Sequence, residues 1–268
     1  MAEKTTHSKN IENHFDRDAQ KWQDLYLQFG MVNDVVLYDR KNVAIDYLKK
    51  SCKPGTRILD AGCGAGIVAL EIAQSGYQIH GVDISKEMIE LCEKNLAKSG
   101  IESDQYKFTY GDIFDSEFPA ESFDGIIALG FMQYQKDEPT ILDRFYEMLE
   151  PGGTFIVTGP NRFPLSNFFV LGLLLQKLIF SLRSKDKLSI AQIPVNNYSL
   201  SKFKKLLKAA GFTVSGHTRH GFAGFLGIRR IIGFKGELML HRFFTQLSRL
   251  IPVDVFANDI VVVAKKPE

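Results

Sequence analysis

The eight residues Leu59–Gly66, reading LDAGCGAG, restrict this chain more than any other stretch. Gly62, Gly64 and Gly66 stand at alternate positions behind a carboxylate, Asp60. Glycine loses more backbone entropy on folding than other residues, so such a cluster belongs where a turn is tight or something must approach the backbone. Upstream, TRILD is a short apolar run; downstream, GIVALEIAQSG is helical and closes at Gly76. A strand, a glycine turn and a helix start form a nucleotide-binding edge.

The spacing separates two kinds of nucleotide. A dinucleotide site needs G-x-G-x-x-G, with pyrophosphate on the helix N-terminus. Here the third glycine comes one residue early and position 67 is Ile. Asp60 would repel pyrophosphate and suit a cationic ligand.

The rest of the chain extends this edge into a sheet. Residues 11–50 alternate polar and apolar at helical spacing with a break near Phe29-Gly30, predicting two or three helices before Pro54-Gly55 turns the chain. After the glycine loop come the strand YQIHGVD and a helix KEMIELCEKNLAKSG with Ser85 as N-cap. The strands YKFTYGD and FDGIIALG follow, then a helix from Pro139 to Glu150, a PGG turn and the strand TFIVTGP. SLSKFKKLLKAAGF reads as a helix, and FTVSGHT and DIVVVAKK as the last strands. Alternating strands and helices predict an α/β fold with a mainly parallel, doubly wound sheet. With 268 residues, 45% of them hydrophobic, the chain can bury such a core. Ligands of such sheets bind beyond the carboxyl ends of the strands. Asp83 ends the second strand, where a carboxylate can accept hydrogen bonds from both ribose hydroxyls. Asp112 ends the third, where it can accept from an exocyclic amine such as adenine's. Together these acids describe a site for a nucleoside without phosphates that carries a positive group.

ILDAGCGAG, GVDIS and GDIF, in this order, resemble the successive cofactor motifs of class I S-adenosylmethionine (SAM) dependent methyltransferases. EPGGTFIV resembles the turn and fifth strand of the same family. The resemblance covers about residues 11–160, then Ser199–Thr218 and Asn258–Lys265. It implies a Rossmann-like seven-stranded sheet with the last strand antiparallel. The implied domains are an N-terminal helical cap over 1–53 and a SAM-binding domain over 54–268. It places Asp60 near the amino group of SAM's methionine part and lets that part and the ribose lie on Gly62, Gly64 and Gly66. Asp83 would hold the ribose, Ile84 and Met88 would lie against adenine, and Asp112 and Ile113 would meet its edge. Leu129 would face the methionine part. The segment around His14, Phe15, Trp22 and Tyr26 resembles the cap of quinone-biosynthesis and magnesium-protoporphyrin methyltransferases.

Two segments interrupt the family pattern, at about 159–197 and 220–257. Both should emerge on the cofactor side, as a lid that chooses the acceptor. Between Asn161 and Ile251 there are 15 basic residues against two acidic ones, and 11 of the 21 phenylalanines. SNFFVLGLLLQKLIFSLRSK and FLGIRRIIGFKGELMLHRFFTQLSRL are basic and greasy, yet too short in uninterrupted apolar run to span a bilayer. They predict a dry lid, contact with an anionic membrane surface, or a protein partner, and the first two favour a hydrophobic or lipid-linked acceptor. Nucleic acid is disfavoured, because the cations are interleaved with aliphatic and Phe clusters and no RNA-binding module is evident. ALGFMQY, ending the fourth strand, lacks the Asn/Asp-Pro-Pro-Tyr type motif of many amino-methylating relatives, which favours O- or C-methylation. His14, Tyr134, Tyr198, His217 and His220 compete as general base. RNA methylation and a catalytically inactive SAM-binding accessory role are the alternatives.

The start MAEKTTHSKN has no apolar core of a secretory signal, and Cys52, Cys63 and Cys92 show no metal or disulfide spacing. The expectation is a cytoplasmic enzyme with reduced thiols, peripheral at the membrane surface if the greasy helices touch lipid.

Overall fold

The computed structural model describes residues 6–28, 30–115, 117–164, 195–223, 226–248 and 250–268. Two helices lead, α1 (Thr6–Leu27) and α2 (Val32–Ser51). Then come β1 (Arg57–Ala61), α3 (Ile67–Gln74), β2 (Gln78–Asp83), α4 (Lys86–Ala97), β3 (Tyr106–Tyr110) and β4 (Phe123–Ala128). The second half contains α5 (Glu138–Met148), β5 (Leu149–Pro160), α6 (Leu200–Ala209), β6 (Thr213–His220), α7 (Leu226–Leu247) and β7 (Asp259–Lys265).

The strands form one sheet in the order β3-β2-β1-β4-β5-β7-β6. All neighbours are parallel except at β7, which runs antiparallel to both β5 and β6. The expected Rossmann-like sheet is therefore present, and the strand order reverses between β1 and β4. Pro160 and His220 both pair with Asp259, so β5 and β6 end at the same edge. The two insertions leave from the carboxyl side, as expected. Of the first, residues 165–194 lie outside the described residues, and with them the whole apolar stretch SNFFVLGLLLQKLIFSLRSK.

Local signals explain the element ends. Ser85 Oγ accepts from Met88 N, Asp137 caps α5 through Thr140 N, and Ser199 caps α6 through Lys202 N. The helix α5 stops at Met148, two residues short of the expected Glu150. Leu149 already pairs with Phe123, and the PGG excursion is absorbed as a register shift before Thr154 pairs with Gly125.

The sheet is covered on both faces. Leu59, Ile126, Phe155 and Val262 pack towards Phe145 of α5 and Phe203 of α6. Ile58, Ile127, Ile156 and Val261 pack towards Ala69 and Ile72 of α3 and Ala44, Ile45 and Leu48 of α2. Thus α2 is part of the sheet's packing, whereas α1 reaches the sheet at Tyr110, the last residue of β3. The second insertion forms α7, broken at Gly233 (φ 66°, ψ −173°), and packs Phe234 and Leu238 on Val32 and Val36 of α2.

Candidate active site

A cavity of about 690 Å³ opens beyond the carboxyl ends of β1, β2, β3 and β4, at the reversal of strand order. Nine of the ten site residues expected from sequence line it. Asp60, Gly62 and Gly64 come from β1 and its loop, Asp83, Ile84 and Met88 from β2 and α4. Asp112 and Ile113 follow β3, and Leu129 follows β4.

Gly66 is the exception. All three loop glycines have positive φ, at 74°, 54° and 77°. Around Gly64 a Cβ would meet only Met88 Sδ, at 3.9 Å, so its missing side chain opens the cavity. A Cβ on Gly66 would lie 2.2 Å from Cys92 Sγ. Its missing side chain makes room for α4, which packs close to the loop.

The carboxylates differ in their partners. Asp83 accepts from Gly64 N and Ser85 N, both at 2.9 Å, and so ties the glycine loop to β2. Burial pushes its pKa up to about 6 against the pull of those N–H groups. Asp60 is 2% exposed, and its Oδ2 has no hydrogen-bond partner. Burial, then the nearby Asp83 charge, pushes its pKa up to about 7. Asp112 accepts from Ser8 Oγ and from Phe114 N, both at 3.2 Å.

Helix α1 closes the cavity by reaching several strand ends. Tyr110 donates to Glu12, and Ser85 Oγ donates to Asp16 Oδ1 at 2.6 Å. His7 Nε2 donates to the Tyr134 carbonyl at 2.8 Å, and the Phe15 ring meets the Tyr134 ring edge-on at 5.3 Å. Among the described residues, the roof is therefore the N-terminal helix and the loop after β4. Among the described residues, none of 195–257 lines the cavity. In the second insertion, Phe234 and Leu238 of α7 pack on Val32 and Val36 of α2.

Of the five expected candidates for general base, only Tyr134 lines the cavity. Tyr198 is fully buried, donates to Met132 O at 3.0 Å and stacks on Phe203. His217 is exposed on β6, and His14 packs edge-on against Phe15. His220 has both ring nitrogens buried without hydrogen bonds, and burial lowers its pKa to about 4. Cys63 does line the cavity, but a hydrogen bond to Cys92, then burial, pushes its thiol pKa up.

Sequence reasoning passed over many of the lining residues, two of which bear directly on the site's chemistry. One is His7. The other is Arg40, 7% exposed, whose guanidinium lies over Gly130: a Cβ there would be 3.3 Å from Nη2. Arg40 Nη2 donates to Tyr26 OH at 3.3 Å, and Nη1 stands 3.9 Å from Asp259 Oδ1. Its Nε has no partner. A signal did exist, since Val36, Arg40, Ala44 and Leu48 are buried at every fourth position of α2. A cation inside an apolar stripe is a candidate for a buried role.

A family model for a methyltransferase domain matches residues 52–215. A ubiquinone biosynthesis O-methyltransferase of Alkalilimnicola ehrlichii is 26% identical over 172 residues, 62% of this chain and 67% of that protein. The chain spans about two thirds of the length of the curated relatives it matches. The magnesium protoporphyrin IX methyltransferase of Synechocystis PCC 6803 superposes with a TM-score of 0.65 at 16% identity, covering 97% of this chain and 99% of that one. The [4+2]-cyclase SpnF superposes at 0.58, with 16% identity and coverage of 85% and 80%. The fold thus also occurs in a protein named for other chemistry, and activity must be argued from the site.

Proposed function

The chain belongs to the class I SAM-dependent methyltransferase family, and on that premise we propose that it methylates an oxygen of a small, largely apolar acceptor held between α1 and the loop after β4. The supporting observation is the distribution of unsatisfied groups. Among the described residues, buried side-chain atoms without partners occur at Asp60, Arg40, Gln23, Asp34, Glu138 and His220, and the first three of these residues, with Asp60 Oδ2, Arg40 Nε and Gln23 Oε1, line this one cavity. Such atoms are costly to leave unpaired, and a ligand with complementary groups would relieve them.

The residues present fit SAM. Asp60 is the partner for the ammonium of the methionine part, and Arg40 is the partner for its carboxylate. Asp83 would take the ribose hydroxyls, and Ile84, Met88 and Ile113 would line the adenine position, with Asp112 at its edge. When bound, SAM supplies a methyl group already activated on a sulfonium. The chain's remaining work is to orient the acceptor, exclude water and handle a proton. Phe15, Trp22 and Phe131 make the acceptor side apolar, and the relatives named for ubiquinone biosynthesis support a small molecule and an oxygen nucleophile.

Calorimetry with SAM and with NAD tests this reading. SAM should bind and NAD should not; the reverse would overturn it. Arg40→Met should weaken SAM by about tenfold to a hundredfold, as expected for losing a charge-assisted hydrogen bond in a buried site. Arg40→Lys should recover part of that loss. A Met variant that is folded and binds as wild type removes the carboxylate assignment.

A second observation bears on where the acceptor comes from. Met239 is 72% exposed and Phe243 56%, with Lys235 and Arg242 beside them, and Leu250 follows at 83%. No helix of the described residues is long and apolar enough to cross a membrane. This stripe supports peripheral contact with an anionic bilayer and a lipid-linked acceptor. The protein should co-float with vesicles containing phosphatidylglycerol, and less so at high salt or as Met239→Ser/Phe243→Ser. Equal flotation with neutral vesicles, or none at all, would exclude this surface.

A further inference from the structure

We propose that His7, on the first turn of α1, is the general base that takes the proton from a hydroxyl acceptor. This rests on the methyltransferase reading above and names a residue for a step that reading leaves open. Of the six histidines, His7 is the one among the described residues that lines the cavity. Its Nε2 lies 2.8 Å from the Tyr134 carbonyl oxygen, which can only accept. Nε2 therefore carries the hydrogen, and in the neutral ring Nδ1 keeps the basic lone pair.

The cavity's other ionisable groups have other work or the wrong chemistry. Asp60 and Asp83 are committed to the cofactor half, and Asp112 is tied to Ser8 and Phe114 N. Arg40 and Tyr26 are hydrogen-bonded to each other. Burial raises the pKa of Tyr134, so its phenol stays protonated at neutral pH. A hydrogen bond to Cys92, then burial, holds the Cys63 thiol pKa up, and Asp115, Lys136 and Asp137 complete the set. A free carboxylate is too weak a base for an alcohol or phenol at pH 7, and a lysine is already protonated. Imidazole alone matches the operating pH.

The arrangement also couples the base to closure. Ser8, the next residue, meets Asp112, and the His7 ring bridges α1 to the loop after β4. The base is therefore in place only when α1 lies across the cavity. In the transfer, the acceptor's O–H bond breaks and its proton goes to His7 Nδ1. The oxygen pair forms the new O–CH₃ bond, while the S–CH₃ pair stays on the departing thioether sulfur.

The test uses the full chain with SAM and a series of catechols as probe acceptors, from 4-methylcatechol to the more acidic 4-nitrocatechol, between pH 5.5 and 9.5. His7→Gln can still donate to the Tyr134 carbonyl but has no basic nitrogen. It should lose about 10²–10³ in kcat/KM on 4-methylcatechol at neutral pH. The loss should shrink with rising pH and be smallest on 4-nitrocatechol, which ionises unaided. Added imidazole should restore part of the rate to His7→Ala. Calorimetric SAM affinity should be unchanged in both variants. Full activity of His7→Gln across the pH range overturns the proposal, as does a loss equal for all probes. If the wild type binds SAM but turns over no catechol, the hydroxyl base is overturned and the cofactor assignment stands. If SAM does not bind, the proposed function fails instead.

Discussion

Asp60→Asn is expected to raise the thermal stability of the ligand-free protein at pH 8 while reducing SAM affinity by about a hundredfold or more. Both effects come from one buried carboxyl group. Asp60 is 2% exposed, one of its oxygens has no partner, and its pKa is pushed up to about 7 from an ordinary 3.8. A raised folded-state pKa means that stability is fully present below about pH 4 and is lost as pH rises through 7. At pH 8 the ionised group costs up to about 4 kcal/mol. Asparagine removes that charge but leaves a buried amide that costs about 1–3 kcal/mol if unpaired. A net gain of about 1–2 kcal/mol corresponds to about 2–8 °C in a chain of this size. The same carboxylate must be ionised to pair with the cationic end of SAM. Wild-type affinity should therefore fall by up to tenfold per unit as pH drops below 7, with protons released on binding, and the Asn variant should show neither effect. Thermal melts and calorimetry in buffers of differing ionisation enthalpy measure all of this. An Asn variant that binds SAM within threefold of wild type would remove Asp60 from the cofactor site.

Gly66→Ala should instead damage the fold, with a loss of about 3–5 kcal/mol or recovery only as insoluble protein. Its φ of 77° is left-handed backbone, which costs an alanine about 1–2 kcal/mol. The new Cβ would also sit 2.2 Å from Cys92 Sγ and 3.2 Å from Leu96 Cδ1. Cys92 and Leu96 are both fully buried on α4, so neither can swing out to solvent. Adding Cys92→Ala removes the worst contact and should return about 1–2 kcal/mol, measured as a coupling energy in denaturant titrations. A single Gly66→Ala variant within 1 kcal/mol of wild type would show that α4 is not held as close to the loop as the structure has it.

These two residues mark the boundary of what local pattern can tell. Asp60 and Gly66 sit six positions apart in one motif, and nothing in LDAGCGAG distinguishes a residue that faces a ligand from one that faces a helix. Gly64 and Gly66 have the same sign of φ and the same spacing from their neighbours; only the approach of Cys92 separates them. Arg40 and His7 were illegible for a related reason. Each makes contacts with a residue far along the chain, Asp259 and Tyr134, and sequence spacing says nothing about such partners. In the second insertion, Phe234 and Leu238 pack on Val32 and Val36, a pairing that charge and hydropathy alone do not show.

The sequence by itself determined the alternation of strands and helices, the sheet they build, and the three acids at successive strand ends. Hydrophobic period, helix caps and glycine punctuation act within a few residues, and a parallel sheet necessarily carries its strand ends to one edge. The tertiary structure alone decided which elements close over that edge. Closure depends on side chains more than a hundred residues apart meeting at hydrogen-bond distance, as His7 and Ser8 do with Tyr134 and Asp112, and such meetings are a property of the packed chain.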